Sequence, residues 1–240
     1  MPAPSRLARA RAALPSLWRR ARRWGLLAII ALVVGPFVLI LPLNLVQPFT
    51  TMVMLRRAVQ RTIDGKSPRY PRRDVVSRDA ISPHLRRAVL ASEDDRFYLH
   101  WGFDLEEIQN ALERAKRGRR LRGASTITQQ VAKNLFLWEG RSYARKGYEA
   151  YLTLVLEICL PKDRILDLYL NLAEWGDGVF GAEAGARHHF GKGAGALTVE
   201  EAARMAAVLP SPLRWSPRGA VADRRRDAIF TAMAYPAPRE

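Results

Sequence analysis

Tyr148-Glu-Ala-Tyr-Leu-Thr-Leu-Val-Leu-Glu-Ile-Cys-Leu-Pro-Lys-Asp-Arg-Ile-Leu-Asp-Leu-Tyr-Leu-Asn-Leu172 decides the fold class. Tyr148, Tyr151, Leu152, Val155 and Ile158 recur at helical spacing, with Glu149 beside the stripe. Pro161 interrupts, and Ile165, Leu166, Leu168, Tyr169 and Leu172 resume. The stretch predicts two helices with a sharp break between them, because proline cannot continue a helix from the preceding turn. Cys159 stands among Leu154, Val155, Ile158 and Leu160 and reads as a small buried hydrophobe. As the one cysteine of the chain it excludes an intramolecular disulfide.

The same period extends outward. Leu85, Val89 and Leu90 precede Glu93 at helical spacing. Asp104 with Glu107 forms a capping-box pattern ahead of Leu105, Ile108, Leu112 and Ala115. Ser125 or Thr126 caps a helix through Leu135, and Thr198 with Glu201 caps one that stops before Pro210. No convincing run of alternating apolar and polar residues marks a strand. A mainly α domain is expected.

The chain has 240 residues, 48% of them hydrophobic and 26% charged, so it is long enough to fold around a sizeable core. Its net charge of +16 points to an anionic partner: nucleic acid, anionic lipid or a phosphorylated substrate. Seven arginines and no acid lie in residues 1–23, and no charge lies from Trp24 to Val46. As a helix that uncharged run spans about 34 Å, against a hydrocarbon core of about 30 Å. A cleaved signal peptide is the competing reading, but the run is long for one and no small-x-small site follows. The arginines belong on the cytoplasmic side, which puts the rest of the chain outside and argues against nucleic acid. The expected division is a basic cytoplasmic tail at 1–23, a transmembrane helix at 24–46, a membrane-proximal helix and connector at 47–79, and the main domain at 80–235. Within the third segment, Gln47–Ile63 reads as a helix whose apolar face either dips into lipid or packs on the domain. The four histidines show no zinc spacing.

Two carboxylates stand in unusual surroundings. Glu93 lies among acids in Ser92-Glu-Asp-Asp-Arg96, and Glu149 follows bases in Arg145-Lys-Gly-Tyr-Glu149. Between them run Ser125, Thr126, Thr128, Gln129, Gln130 and Lys133, donors suited to sugar hydroxyls and phosphate. Paired carboxylates do acid/base work on sugars, and clustered cations hold phosphate. Taken singly, each motif also fits a solvated helix surface.

Together, Glu93-Asp94…Phe97…His100…Gly102…Asp104, Gly123-Ala-Ser-Thr-Ile-Thr-Gln-Gln130…Lys133-Asn134, Arg145-Lys146…Glu149, Arg164-Ile-Leu-Asp-Leu-Tyr-Leu-Asn171 and Glu200-Glu-Ala-Ala-Arg-Met-Ala-Ala-Val-Leu-Pro210 closely resemble the ordered motifs of the peptidoglycan glycosyltransferases, glycosyltransferase family 51. The run Asn171–Gly181 is most similar to the monofunctional, membrane-anchored branch. The resemblance implies a lysozyme-like helical domain with a small membrane-proximal jaw. It implies lipid II and the growing glycan strand as substrates, and β-1,4 links formed with inversion. Glu93 is then the general base. Lys133, Arg141, Arg145 and Lys146 neutralise the leaving pyrophosphate, and Glu149 supports them, with Mg2+ or Mn2+ as an optional metal there and no tightly bound cofactor. Ser125, Thr126, Gln129 and Gln130 line the donor cleft, while Asp94 and Arg96 tune or orient Glu93. The implied location is the inner membrane, single-pass, N-terminus cytoplasmic and catalytic domain periplasmic. The implied partners are the lipid bilayer and proteins of cell-wall synthesis or division.

Three other readings compete. A membrane-anchored lytic or hydrolytic enzyme shares the glutamate logic but leaves the bases around Glu149 unexplained. A non-enzymatic membrane scaffold explains the charge alone. A bifunctional penicillin-binding protein needs Ser-x-x-Lys, which the sequence lacks.

Overall fold

The computed structural model describes residues 6–65, 72–118, 125–138, 140 and 142–234, with side chains from residue 18 onward. Helix α1 (Arg6–Ile40) runs unbroken through the arginines and the apolar segment, so the helix expected from Trp24 is the outer part of a longer one. Trp18–Asn44 is long and apolar enough to cross a membrane. Leu26, Ile29, Leu32 and Val38 are exposed, which suits lipid rather than water. A tight turn at Leu41–Asn44, opened by Pro42, ends the segment.

The last turns of α1 dock on the domain, where Pro36 and Ile40 are buried. Pro36 sits inside α1 without ending it. Having no N–H, it leaves the Leu32 carbonyl without its helical partner. The Tyr148 hydroxyl donates to that carbonyl at 3.3 Å, and Tyr151 donates to the next one, of Val33. The two rings stack with centroids 5.8 Å apart. Arg164 then clasps the connector through the carbonyls of Leu43 and Val46.

Helix α2 (Met52–Ile63) starts later than the expected Gln47. Thr51 caps it by accepting from the Met54 N–H, and Pro48 restricts the residue before it. Met54 packs into the core, while Met52, Leu55, Val59 and Ile63 form an exposed apolar face. Next come a short strand β1 (Arg72–Arg73) and α3 (Pro83–Glu93), with Ser82 as cap and Pro83 in the first turn. Leu85, Ala88 and Val89 bury one face of α3 and leave Glu93 at its end.

Asp104 caps α4 (Leu105–Lys116). Of the two candidate caps, Thr126 and not Ser125 opens α5 (Ile127–Phe136), with Gln129 completing a capping box. The opening stretch forms α6 (Tyr143–Cys159) and α7 (Lys162–Leu172), broken at Pro161 as the sequence predicts. Two strands follow, β2 (Glu174–Gly176) and β3 (Val179–Phe180); β3 pairs antiparallel with β2 and parallel with β1. The sequence reading found no strands, and pieces this short carry no alternation to read. Helix α8 (Ala182–Phe190) ends at the left-handed Gly191. Helix α9 (Val199–Ala207) has the expected Thr198–Glu201 capping box, and α10 (Ala220–Ala234) completes the described chain.

Helices α3, α9 and α10 pack as one group, and α5, α6 and α7 as another. Phe97, Tyr169, Trp175 and Phe180 are fully buried in the common core. Gly185 lets α8 approach it: a Cβ there would lie 2.6 Å from Met205 Cε and 2.8 Å from Trp175 Cγ.

Candidate active site

The end of α3 and the middle of α5 bring together Glu93 and Gln130. Gln130 Nε2 donates to Glu93 Oε2 at 2.9 Å, and the Ser92 hydroxyl reaches Oε1 at 3.2 Å. The Tyr169 hydroxyl donates to Gln130 Oε1 at 3.2 Å. That bond fixes the amide so that its NH2 faces the carboxylate. Burial raises the Glu93 pKa above the usual carboxylate range; the bonds from Gln130 and Ser92 and the charges of Arg225 and Lys133 oppose it. Glu93 is thereby a stronger base than a surface glutamate while its anion keeps two donors.

Gln130 and Tyr169 open onto a cleft of about 460 Å3 whose walls include Lys133 and Arg145. Arg145 Nη1 donates to Glu149 Oε2 at 2.8 Å, and the Lys146 ammonium donates to Oε1. Helical steps of four and three residues make this fork possible. Glu149 itself is only 3% exposed and does not line the cleft; it holds its two cations from behind. The surrounding wall lowers the Lys133 pKa, and Glu149 opposes that; the side chain is exposed to the open cleft, which limits the cost. Gln130 in the cleft wall thus links the cationic bay to a poised base that is not itself a wall residue.

The other expected residues fall elsewhere. Thr126 and Gln129 turn inward as the capping box, both buried, and Thr126 donates to the Gly102 carbonyl at 2.7 Å. They brace the cleft instead of lining it. Asp94 does not touch Glu93. Its oxygens bind His100 Nε2 and the Ile127 N–H, both at 2.9 Å, which locks the 94–104 loop to the start of α5. Arg96 turns away to Glu106 and Asp104. Ser125 is exposed at the mouth of α5, and Arg141 lies outside the described residues.

Sequence reasoning missed Tyr169, whose hydroxyl is hidden in an apolar stripe. It also missed Arg57 and Glu174, an ion pair at 3.0 Å in the cleft wall, and Arg214, which lines the same space. Nothing in the local patterns of α2 or of residues 209–214 marks the two arginines.

Glu149 does not fit a divalent metal. Both its oxygens are taken by cations, and Lys133 adds a third positive group nearby. Asp94, His100 and Asp104 also lie close enough together to suggest a metal set. Their described bonds to one another, to helix N-termini and to Arg96 already account for their carboxylate oxygens.

A helical domain in which a half-buried glutamate is hydrogen-bonded to the wall of a phosphate-suited cleft has the build of a glycosyl-transferring enzyme. A family model described as Transglycosylase matches residues 59–234, and the chain belongs to that family. The chain is 51% identical over 203 residues to a protein of Pseudomonas putida KT2440 named biosynthetic peptidoglycan transglycosylase, covering 85% of this chain and 84% of that one. Proteins of the same name from Pseudomonas entomophila and Pseudomonas savastanoi pv. phaseolicola are 49% identical over 203 residues and 50% identical over 182; the alignments cover 85% and 76% of this chain and 84% and 77% of theirs.

Proposed function

We propose that the chain is a membrane-anchored peptidoglycan glycosyltransferase that polymerises glycan strands from lipid II. Family membership and the relatives' names support the reaction class, and the site supports the roles. The observation that carries it is the Tyr169–Gln130–Glu93 relay opening onto the bay of Lys133 and Arg145. Glu93 takes the proton from the 4-hydroxyl of the acceptor N-acetylglucosamine. That oxygen bonds to C1 of the donor N-acetylmuramic acid as the C1–O bond to phosphate breaks, and the electron pair leaves on undecaprenyl pyrophosphate. The configuration inverts from α to β.

The leaving group is already a weak base, so a strong acid is unnecessary and charge neutralisation takes its place. Lys133 and Arg145 supply that charge, with Lys146 and Arg141 assigned to the same role. Glu149 holds Arg145 and Lys146 in position. No metal step is included, because the donor set at Glu149 opposes a cation. The apolar α1 supports membrane anchoring; the reading sets it in the inner membrane with the arginines cytoplasmic and the catalytic domain periplasmic, and takes proteins of cell-wall synthesis or division as partners.

The test is incubation of the full chain with lipid II. Long glycan and free undecaprenyl pyrophosphate are expected, and neither from Glu93→Gln. Shortening of preformed glycan, or full activity in Glu93→Gln, overturns the reading.

A further inference from the structure

Helix α10 carries three arginines in a row, Arg224, Arg225 and Arg226. Arg224 is exposed, and Arg226 pairs with Asp227 and Glu200. Arg225 differs from both. It lies three residues after Ala222 and four before Ile229, and both of these are buried. That spacing sets Arg225 on the face with which α10 packs on α3 and α9. Its guanidinium carbon lies 5.6 Å from the centroid of the Trp215 ring. Its Nε is buried, and the side chain has no hydrogen-bond or ion-pair partner among the described residues.

A buried guanidinium N–H without an acceptor is costly, and an aromatic face offsets only part of that cost. A buried anion within reach of the charge offsets more. Glu93, at the end of the helix on which α10 packs, is such an anion. Of the cations that act on it, Arg225 comes first and Lys133 second. The other elements around Glu93 are accounted for. From α5 come Gln130 and Lys133, and from α7 the Tyr169 hydroxyl behind Gln130. Helix α9 meets the end of α3 through the Ala206 carbonyl, which accepts from the Ser92 hydroxyl at 3.3 Å. Asp94, the next residue, turns to His100 and the Ile127 N–H.

The two cations differ in what else they meet. Lys133 lines the cleft, and Arg225 does not. A diphosphate entering the cleft brings negative charge toward Glu93 and opposes its ionisation. The same diphosphate engages Lys133. Arg225, outside the wall, keeps its charge for Glu93 through that step.

We infer that Arg225, braced on Trp215, is a positioning residue of the reaction, whose charge keeps Glu93 in the anionic form that takes the acceptor's proton while substrate fills the cleft. This rests on the polymerase reading.

The variants are Arg225→Met, which keeps an apolar stem over Trp215 and removes the charge, and Arg225→Lys, which keeps the charge. In detergent with lipid II, Arg225→Met moves the acidic limb of kcat up by about one pH unit, so turnover near pH 6 falls by about tenfold while KM and turnover near pH 9 stay within about twofold. Arg225→Lys restores the wild-type limb. The carboxylate band of Glu93, isolated as the infrared difference between the full chain and its Glu93→Gln variant, titrates to higher pH in the Arg225→Met background without any substrate. Should Arg225→Met not fold, Arg225→Gln carries the same expectations. An unmoved limb or an unmoved band, with polymerisation by the wild type intact, overturns this inference alone. A raised KM with the limb in place shows that Arg225 meets substrate and overturns it as well. So does an equal displacement in Arg225→Lys, which traces the effect to packing instead of charge. Absence of polymerisation by the wild type overturns the polymerase reading and this inference with it.

Discussion

Tyr169→Phe tests how Glu93 is set up. The ring is 2% exposed, so phenylalanine keeps the packing and removes one hydroxyl. Burial raises the tyrosine pKa well above its usual value, so the hydroxyl stays protonated and its donation to Gln130 Oε1 at 3.2 Å is its described bond. A neutral hydrogen bond of this kind contributes about 1 kcal/mol. Without it the Gln130 amide is free to rotate and present oxygen to the Glu93 carboxylate. About 1 kcal/mol of lost bias corresponds to roughly a fivefold fall in kcat. KM should change little, because the cations are untouched. The pH profile supplies the sign. Gln130 donation stabilises the Glu93 anion and holds its pKa down against burial. Weakening it raises that pKa further, so the acidic limb of kcat moves to higher pH. The assay is release of undecaprenyl pyrophosphate from lipid II between about pH 5 and pH 9. An unchanged limb, or one moving to lower pH, refutes the relay. A change in KM alone shows that Tyr169 merely touches substrate.

Glu93→Gln should abolish polymerisation, by about a thousandfold as expected for loss of a general base. It should also stabilise the protein at alkaline pH. The folded pKa of Glu93 is raised, so the wild type has its full stability from this group below the unfolded value and loses it as pH rises through the folded one. Thermal midpoints of the two proteins should therefore converge near pH 4 and separate by pH 8, with the variant higher; the reverse order refutes the burial account. Glu149→Gln leaves Arg145 and Lys146 without a counter-charge in a site where the carboxylate is 4% exposed. Discounted for the half-exposed lysine, the loss is about 2–3 kcal/mol of stability, with a large fall in turnover; a neutral effect by denaturant titration and rate assay removes Glu149 from its role. Pro36→Ala restores an N–H for the Leu32 carbonyl, so Tyr148→Phe should cost less in that background. A double-mutant cycle on thermal stability in detergent should give a coupling of about 1 kcal/mol, and strict additivity denies the link.

Helical elements were legible because a burial stripe at helical spacing and a capping residue are local facts. Pro161, a cap at Ser125 or Thr126 and the Thr198–Glu201 pair act within one or two turns, and the structure uses Pro161, Thr126 and Thr198–Glu201. The start of α2 was misread because Phe49 extends the apolar pattern upstream, while the Thr51 cap decides the boundary. The sheet was invisible, since strands of two and three residues are made by pairing across the fold. Among site residues, those that act through sequence neighbours were readable: Arg145, Lys146 and Glu149 share one helix face. Those acting through distant contacts were not. Tyr169 meets Gln130 across 39 residues, and Arg57 meets Glu174 across 117. The same limit explains Thr126 and Gln129. Their polarity suggested substrate contact, whereas the helix N-terminus consumes it.

Helix α6 links these features to the membrane. One of its faces carries Arg145 to the cleft wall, with Glu149 behind it holding Arg145 and Lys146, and Tyr148 and Tyr151 bind α1. The contact has a definite chemistry. Pro36 exposes a carbonyl that in lipid would be costly to leave unpaired, and Tyr148 satisfies it. The tyrosines therefore dock at a set level of the anchor rather than anywhere along its apolar surface. Because α6 is a continuous helix, fixing Tyr148 also fixes Glu149, the next residue, and the cations it holds. An enzyme acting on a soluble sugar has no need of such a constraint. One whose substrate carries its diphosphate at the bilayer surface does, because the diphosphate must meet the cations at the depth where the lipid holds it. The proline inside the anchor, which by itself only weakens a helix, is in this view part of how the site is held at its working height.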